Sequence, residues 1–338
     1  MADEVRQAAR YHGDEAVAPG MVDFAVNVRA GGPPPWLVER LGSRLTDLGR
    51  YPSAVDVHRA VDAVAARHGR PREEVLLLAG GAEGFALLPN LQPRLAALIA
   101  PSFTEPEAVL AAAGVPFTHV VLDPPFALGT VPDDADLVVV GNPTNPTSVL
   151  HPADAILGLR RPGRIIVVDE AFADAVPGEP ESLAGRSLPD VLVLRSLTKT
   201  WSLAGLRVGY ALGAPDVLAR LSAHRAHWPL GTLQLEAVTA CCAPAAVAEA
   251  DAGAVRLAQL RSEMVRGLCA AGIDVVDGRA PFVLLRVADA ELVRKRLDEK
   301  GIAVRRCDTF VGLESGYLRV AVRPEWPQLV RELQEVLR

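Results

Sequence analysis

The chain has 338 residues, half of them apolar, and 35 basic against 41 acidic side chains give a formal net charge of −6. That length and apolar content suit a globular protein of about two domains. With no long Lys/Arg run, neither nucleic acid nor an anionic membrane is expected as a partner. The start, Met1–Arg10, is polar and charged, not a leader peptide, and no apolar run is long enough to span a bilayer. Cys241, Cys242, Cys269 and Cys307 form no CxxC pair and no zinc spacing, which predicts buried reduced thiols. A cytoplasmic protein is expected.

In chain order, Arg29–Pro35 is rich in Gly and Pro and reads as an irregular connector. Apolar runs at Val75–Ala79, Leu95–Ala100, Phe117–Leu122, Leu137–Val140, Arg164–Asp169, Val191–Arg195 and Val208–Leu212 predict strands. Several are continuous in Val, Ile and Leu, as in strands covered on both faces. Helical patterns lie between them at Val55–His68, Glu83–Leu88, Glu105–Ala113 and Pro152–Leu159. That alternation predicts an α/β fold with a large, mostly parallel sheet. From Pro215 to Ala271 helices dominate, with a long one at Ala252–Ala271. Strands at Ile273–Asp277, Phe282–Val287, Ile302–Arg305 and Tyr317–Val322 and helices at Ala290–Lys300 and Glu325–Leu337 then predict a smaller α+β domain. The expected division is an N-terminal arm (1–30), a large domain (31–250) and a small one (251–338).

Chemistry gathers at the ends of the predicted strands. The run Arg195-Ser-Leu-Thr-Lys199-Thr-Trp-Ser-Leu-Ala-Gly-Leu-Arg207-Val-Gly-Tyr follows a buried strand. A desolvated lysine has a lowered pKa and attacks carbonyls. Ser196, Thr198 and Arg207 carry donors suited to a phosphate dianion. Asp169 ends another apolar strand, where ligands of parallel sheets bind. Asn142 sits in a proline-stiffened turn after a third, and Gly81 and Ala82 open a helix whose free N–H groups suit a phosphate. Phe103 offers a face for a flat ring. Singly, each fits an ordinary structural role: a surface lysine, a helix-capping Asp, a plain turn, a core Phe. Ser196-Leu-Thr-Lys199 also fits the SxxK of serine penicillin-binding enzymes, but their SDN and KTG motifs are absent.

The order glycine turn, aromatic, Asn turn, Asp, Lys, Arg resembles the fold-type-I pyridoxal-5′-phosphate (PLP) enzymes of the aminotransferase class I/II branch, over nearly the whole chain. Within that branch the sequence resembles histidinol-phosphate aminotransferases and, more closely, threonine-phosphate decarboxylases of cobalamin synthesis. The closer likeness rests on Tyr11-His12-Gly13-Asp14, Val22-Asp-Phe-Ala-Val-Asn27, Arg50-Tyr51-Pro52, Asp169-Glu-Ala-Phe172, Val304-Arg305-Arg-Cys307-Asp308 and Tyr317-Leu-Arg319-Val-Ala-Val-Arg323.

The resemblance implies that Lys199 binds PLP as a Schiff base and shuttles protons. Asp169 would pair with the pyridine nitrogen, Asn142 with the ring oxygen, and Phe103 would stack on the ring. Gly81, Ala82, Ser196, Thr198 and Arg207 would hold the phosphate. Tyr51 would reach the neighbouring subunit's phosphate, implying a homodimer with shared active sites. Arg319 would clamp an anion of a small amino-acid substrate, helped by Arg305, His12 and Asn27. Two departures stand out. Phe172 replaces a Tyr that donates to the ring oxygen, as in the decarboxylases, and His227-Trp-Pro-Leu-Gly231 stands where those read Pro-Trp-Ser-Val-Asn. The expected reaction is decarboxylation of O-phospho-L-threonine to aminopropanol phosphate, by a lyase of cobalamin biosynthesis. The alternative is transamination of histidinol phosphate or another amino acid. A non-catalytic PLP-binding protein is a third reading.

Overall fold

The computed structural model describes residues 13–337, so His12 lies outside the described residues. The main sheet has seven strands: β2 (Val75–Leu78), β3 (Ala96–Ala100), β4 (Phe117–Val121), β5 (Leu137–Gly141), β6 (Ile165–Asp169), β7 (Val191–Ser196) and β8 (Gly209–Leu212). Their order is β2-β8-β7-β6-β5-β3-β4, parallel throughout except that β8 runs against both neighbours. The expected α/β class is therefore present. Every residue of β3, β5 and β7 is buried, which is why their sequences lack polar alternation. Because β2 and β7 point the same way, the carboxyl ends of β2, β3, β5, β6 and β7 share one edge. The candidate residues sit at that edge.

The helix Ala54–His68 shows how local sequence sets boundaries. Ser53 accepts the Asp56 N–H at 3.0 Å as N-cap, and Gly69, with φ of 62°, ends the helix in the left-handed region. The long helix Pro244–Ala270 begins eight residues before the expected Ala252. Proline at its first turn costs no hydrogen bond there, and the Ala-rich segment continues the helix. Its Ala246 and Ala250 pack into the core around the large sheet, whereas Met264 and Leu268 pack into a second core with Phe24, Val283 and Leu329. No single helix among the described residues is long and apolar enough to cross a membrane.

The second core lies against a four-stranded antiparallel sheet. It contains β9 (Asp274–Val275), β10 (Phe282–Arg286), β12 (Arg305–Arg306) and β13 (Tyr317–Ala321), in the order β12-β13-β10-β9. The expected strand Ile302–Arg305 is in fact two. β11 (Ile302–Ala303) pairs with β1 (Val22–Asp23), and the chain then crosses at Val304 so that β12 pairs with β13. The expected connector carries a helix from its last proline, Pro35–Gly42. Cys269 is exposed on the long helix, contrary to expectation, while the other three cysteines are buried.

Candidate active site

Asp169 and Asn142 are joined before any side chain is considered. Gly141 and Asp169 are register partners, and the Asn142 N–H donates to the Asp169 carbonyl at 2.8 Å. The Asn142 side chain is locked in turn. Its Nδ2 donates to the His151 carbonyl at 3.1 Å, and its Oδ1 accepts the His151 N–H at 2.8 Å. One amide hydrogen remains for a ligand.

The Asp169 carboxylate accepts the Ala171 N–H at Oδ1, at 3.1 Å. Burial pushes its carboxyl up to about 6, against the opposing pull of that N–H and of the Lys199 ammonium. A carboxylate so placed would suit a protonated ring nitrogen. The sign has a consequence for the cofactor-free protein. Its folded pKa lies above the ordinary 3.8, so the folded state binds the proton more tightly. Relative to Asp169→Asn, the cofactor-free protein therefore loses about 2 to 3 kcal/mol of stability as pH rises from 4 to 7. Chemical denaturation at the two pH values checks this, and parallel losses in both proteins would refute it.

The residues expected to hold a phosphate also meet. Ser196 and Leu78 both pair with Gly209, which brings the ends of β7 and β2 together across β8. A Cβ on Gly209 would stand 2.4 Å from the Arg195 carbonyl and 3.3 Å from the Gly80 carbonyl carbon, so only glycine permits this approach. Gly80 takes φ of 87°, and the Arg207 guanidinium lies 3.0 Å from where its Cβ would be. Gly81 and Ala82 then start the helix Gly81–Ala86 with N–H groups that no preceding turn can satisfy. Ser196 Oγ and Thr198 Oγ1 are 2.7 Å apart beneath them. Backbone amides, two hydroxyls and one guanidinium together fit a phosphate dianion.

Lys199 is half-buried at the mouth of β7, and its carbonyl accepts the Arg29 N–H at 3.1 Å. Phe103 follows β3, half-buried, with its ring 6.1 Å from Phe85. Phe172 is buried edge-on to Phe282 at 5.0 Å and brings no hydroxyl.

Arg319, in β13, is buried with no carboxylate partner among the described residues. It donates to Asn145 Oδ1 at 2.6 Å and the Ala25 carbonyl at 2.6 Å, and its guanidinium lies over the Phe282 ring. Turned to satisfy both groups, the Asn27 amide oxygen accepts from Arg319 at 2.9 Å. Burial lowers the Arg319 pKa to about 9. Arg305 is its direct partner across the β12–β13 pair, also buried, donating to Thr309 Oγ1 at 2.9 Å. The two arginines thus occupy facing strand positions, and the Arg305 charge adds to the burial that lowers the Arg319 pKa.

Tyr51 is 75% exposed and stacks on Trp228 at 4.2 Å, so it stands on the outer surface. The His227–Gly231 segment supplies that ring, and Trp228 takes a strained φ of 51° to do so.

Three features escaped the sequence reading. Asn145 anchors Arg319, and its place three residues after Asn142 in the same turn was the available signal. His151 orients Asn142, which only the turn geometry reveals. The third is a buried ionic cluster beneath Asp169. Arg195 donates to Glu170 at 2.9 Å, to Glu179 at 2.6 Å and to Asp174, while Arg67 reaches Asp174 and Glu179. Glu170 also accepts the Leu183 N–H and the Ser182 hydroxyl, each at 2.6 Å. The cluster fastens the segment after Asp169 to β7 and so holds that carboxylate in place.

The family model of aminotransferase class I and II matches residues 19–333. This chain belongs to that family. Its members are PLP enzymes, and the aminotransferase described here has a residue set that fits the cofactor: a lysine, a buried carboxylate, and a phosphate cradle. A histidinol-phosphate aminotransferase of Mycobacterium tuberculosis is 70% identical over 330 residues, 97% of this chain and 91% of that protein. The threonine-phosphate decarboxylase of Salmonella typhimurium is 29% identical, over 94% of this chain and 91% of that protein. A histidinol-phosphate aminotransferase of Sinorhizobium meliloti, solved in complex with PLP, superposes with a TM-score of 0.83 at 19% identity, covering 100% of this chain and 95% of that one.

These comparisons correct the expected reaction. The far greater identity to an aminotransferase overturns the reading as a decarboxylase of cobalamin biosynthesis. Of the motifs that suggested it, those the structure brings inward supply a buried carboxylate, Asp169, and the facing Arg305 and Arg319. Both reactions need those parts, so they do not tell a lyase from a transferase.

Proposed function

We propose that the protein transfers the amino group of histidinol phosphate to a 2-oxo acid, working in the cytoplasm as a homodimer with shared active sites. The observation that carries the substrate is the 70% identity to the mycobacterial relative named for it. The paired Arg305 and Arg319 support it, since two guanidinium groups suit a phosphate ester. The same clamp suits the carboxylate of the oxo acid. The dimer is supported by the exposed Tyr51–Trp228 stack and by Val38, Leu45, Leu48 and Val55, which are also exposed. The division into an arm (1–30), a large unit (31–250) and a small unit (251–338) accords with the two cores, the joint then falling inside the long helix.

Lys199 Nζ would hold the cofactor aldehyde, with Asp169 at the ring nitrogen and the remaining Asn142 N–H at the ring oxygen. Phe103 would cover the ring, Phe172 would add an apolar contact, and Gly81, Ala82, Ser196, Thr198 and Arg207 would grip the phosphate. When bound, PLP supplies an electron sink for the bonds at the substrate Cα. Asp169 holds a proton at the ring nitrogen, and Lys199 Nζ takes up the proton leaving Cα. Arg319, steadied by Asn27 and Asn145, fixes the substrate anion and so selects which Cα bond is aligned for cleavage. His12 would assist at the substrate. The test is incubation of PLP-loaded enzyme with histidinol phosphate and 2-oxoglutarate. The expected products are the keto phosphate and glutamate without carbon dioxide. Transfer from other amino acids but none from histidinol phosphate would overturn the substrate.

A further inference from the structure

Asn145 Oδ1, the Ala25 carbonyl and the Asn27 amide oxygen accept from the Arg319 guanidinium and so fix its plane. The last two belong to the segment 23–27. Phe24 is tied on both sides, its N–H donating to the Ala303 carbonyl at 2.9 Å and its carbonyl accepting the Ala321 N–H at 2.8 Å. Beyond Phe24 the segment leaves the sheets, and two side chains hold its backbone. Asp23 Oδ1 accepts the N–H groups of Ala25 at 2.8 Å and Val26 at 2.9 Å. Arg323 donates from Nη2 to the Val26 carbonyl at 2.8 Å and from Nε to the Asp23 carbonyl at 3.3 Å.

Arg323 thus bridges the two ends of a turn whose inner carbonyl, that of Ala25, holds Arg319. A planar guanidinium fork can span two carbonyls, whereas an ammonium acts as a point. Arg323 is half-buried, and burial lowers its pKa against the pull of Asp23 and Glu325. A solvated surface arginine would not carry that cost. We infer that Arg323 is a positioning residue for the substrate clamp. It touches no substrate. By gripping the carbonyls that flank Ala25, it keeps the Ala25 and Asn27 acceptors where they orient Arg319. The inference rests on the reading of Arg319 as the group that binds the substrate anion, and it does not depend on which amino acid reacts.

The test is calorimetry of 2-oxoglutarate binding to the PLP-loaded enzyme, with no amino donor present. Arg323→Met keeps the apolar stem and removes the fork. It should weaken binding about tenfold, within the range for residues coupled through a shared partner. Arg323→Lys retains the charge and should lose only about threefold; it carries the comparison if the Met variant fails to fold. Arg319→Lys should itself weaken binding, because a point charge replaces the fork. In that background either Arg323 variant should add less than about twofold, since an ammonium has no plane to orient. A loss that persists undiminished in Arg319→Lys would make Arg323 a general support of the fold and overturn the inference. Affinity equal to wild type in both Arg323 variants would overturn it too. No binding of 2-oxoglutarate to wild type, or equal binding by Arg319→Lys, would instead refute Arg319 as the clamp, and the inference with it.

Discussion

Lys199→Ala is expected to lower kcat by at least about 10⁴-fold, because in the proposed mechanism one amine would both anchor the cofactor and move the Cα proton. The loss should not come from unfolding. Lys199 is half-buried at a strand mouth, and the substitution leaves in place its carbonyl, which accepts from Arg29. The variant should keep its melting temperature while failing to turn over in a steady-state assay. Mixing it with Tyr51→Phe subunits extends the test to the proposed dimer. If Tyr51 serves the partner's site, mixed dimers contain one intact site and recover activity. Kinetics within tenfold of wild type in Lys199→Ala would remove the lysine from the chemistry.

The second large effect is expected at Arg319. Removing one member of a buried charge pair formed with a ligand costs about 2 to 5 kcal/mol, which corresponds to roughly 30- to 5,000-fold in kcat/KM. Arg319→Gln should therefore lose that factor toward any anionic substrate. Its cofactor absorbance should be unchanged, since Arg319 contacts Asn27, Asn145, Ala25 and Phe282 and no residue of the phosphate cradle. The split matters, because a merely structural arginine would take cofactor binding down with it. Arg305→Gln should fall less, as Thr309 and the Arg306 carbonyl already share its donors. Equal kcat/KM for Arg319→Gln and wild type would place the substrate anion elsewhere.

The cofactor half of the site was legible in the sequence for a physical reason. Lys199, Asn142 and Phe103 each follow a strand buried on both faces, and Asp169 ends another apolar strand; such strands read as unbroken apolar runs. A polar or aromatic residue just beyond each run marks the carboxyl edge of a parallel sheet. The substrate half was harder to read. Arg319 stood out as a charge inside an apolar strand, but its pairing with Arg305 depends on the chain switching sheets at Val304, which no periodicity signals. Asn145 and His151 act through the fold of one turn. Glu170 and Arg195 look like ordinary charges beside the motif residues until the strands are in register. The direction of the reaction was misread because the cradle and clamps are common to both outcomes. What separates them is the orientation of bonds in the substrate.

The chain contains three lysines, Lys199, Lys295 and Lys300. The latter two lie outside the site in ion pairs, Lys295 with Glu291 at 2.8 Å and Lys300 with Glu332 at 2.7 Å. Borohydride reduction of the PLP-loaded protein, followed by peptide mass analysis, therefore gives an unambiguous answer. One pyridoxyl group per chain is expected, on the peptide containing Lys199. Label on Lys295 or Lys300, or a protein that stays colourless and unlabelled with excess PLP, would contradict it.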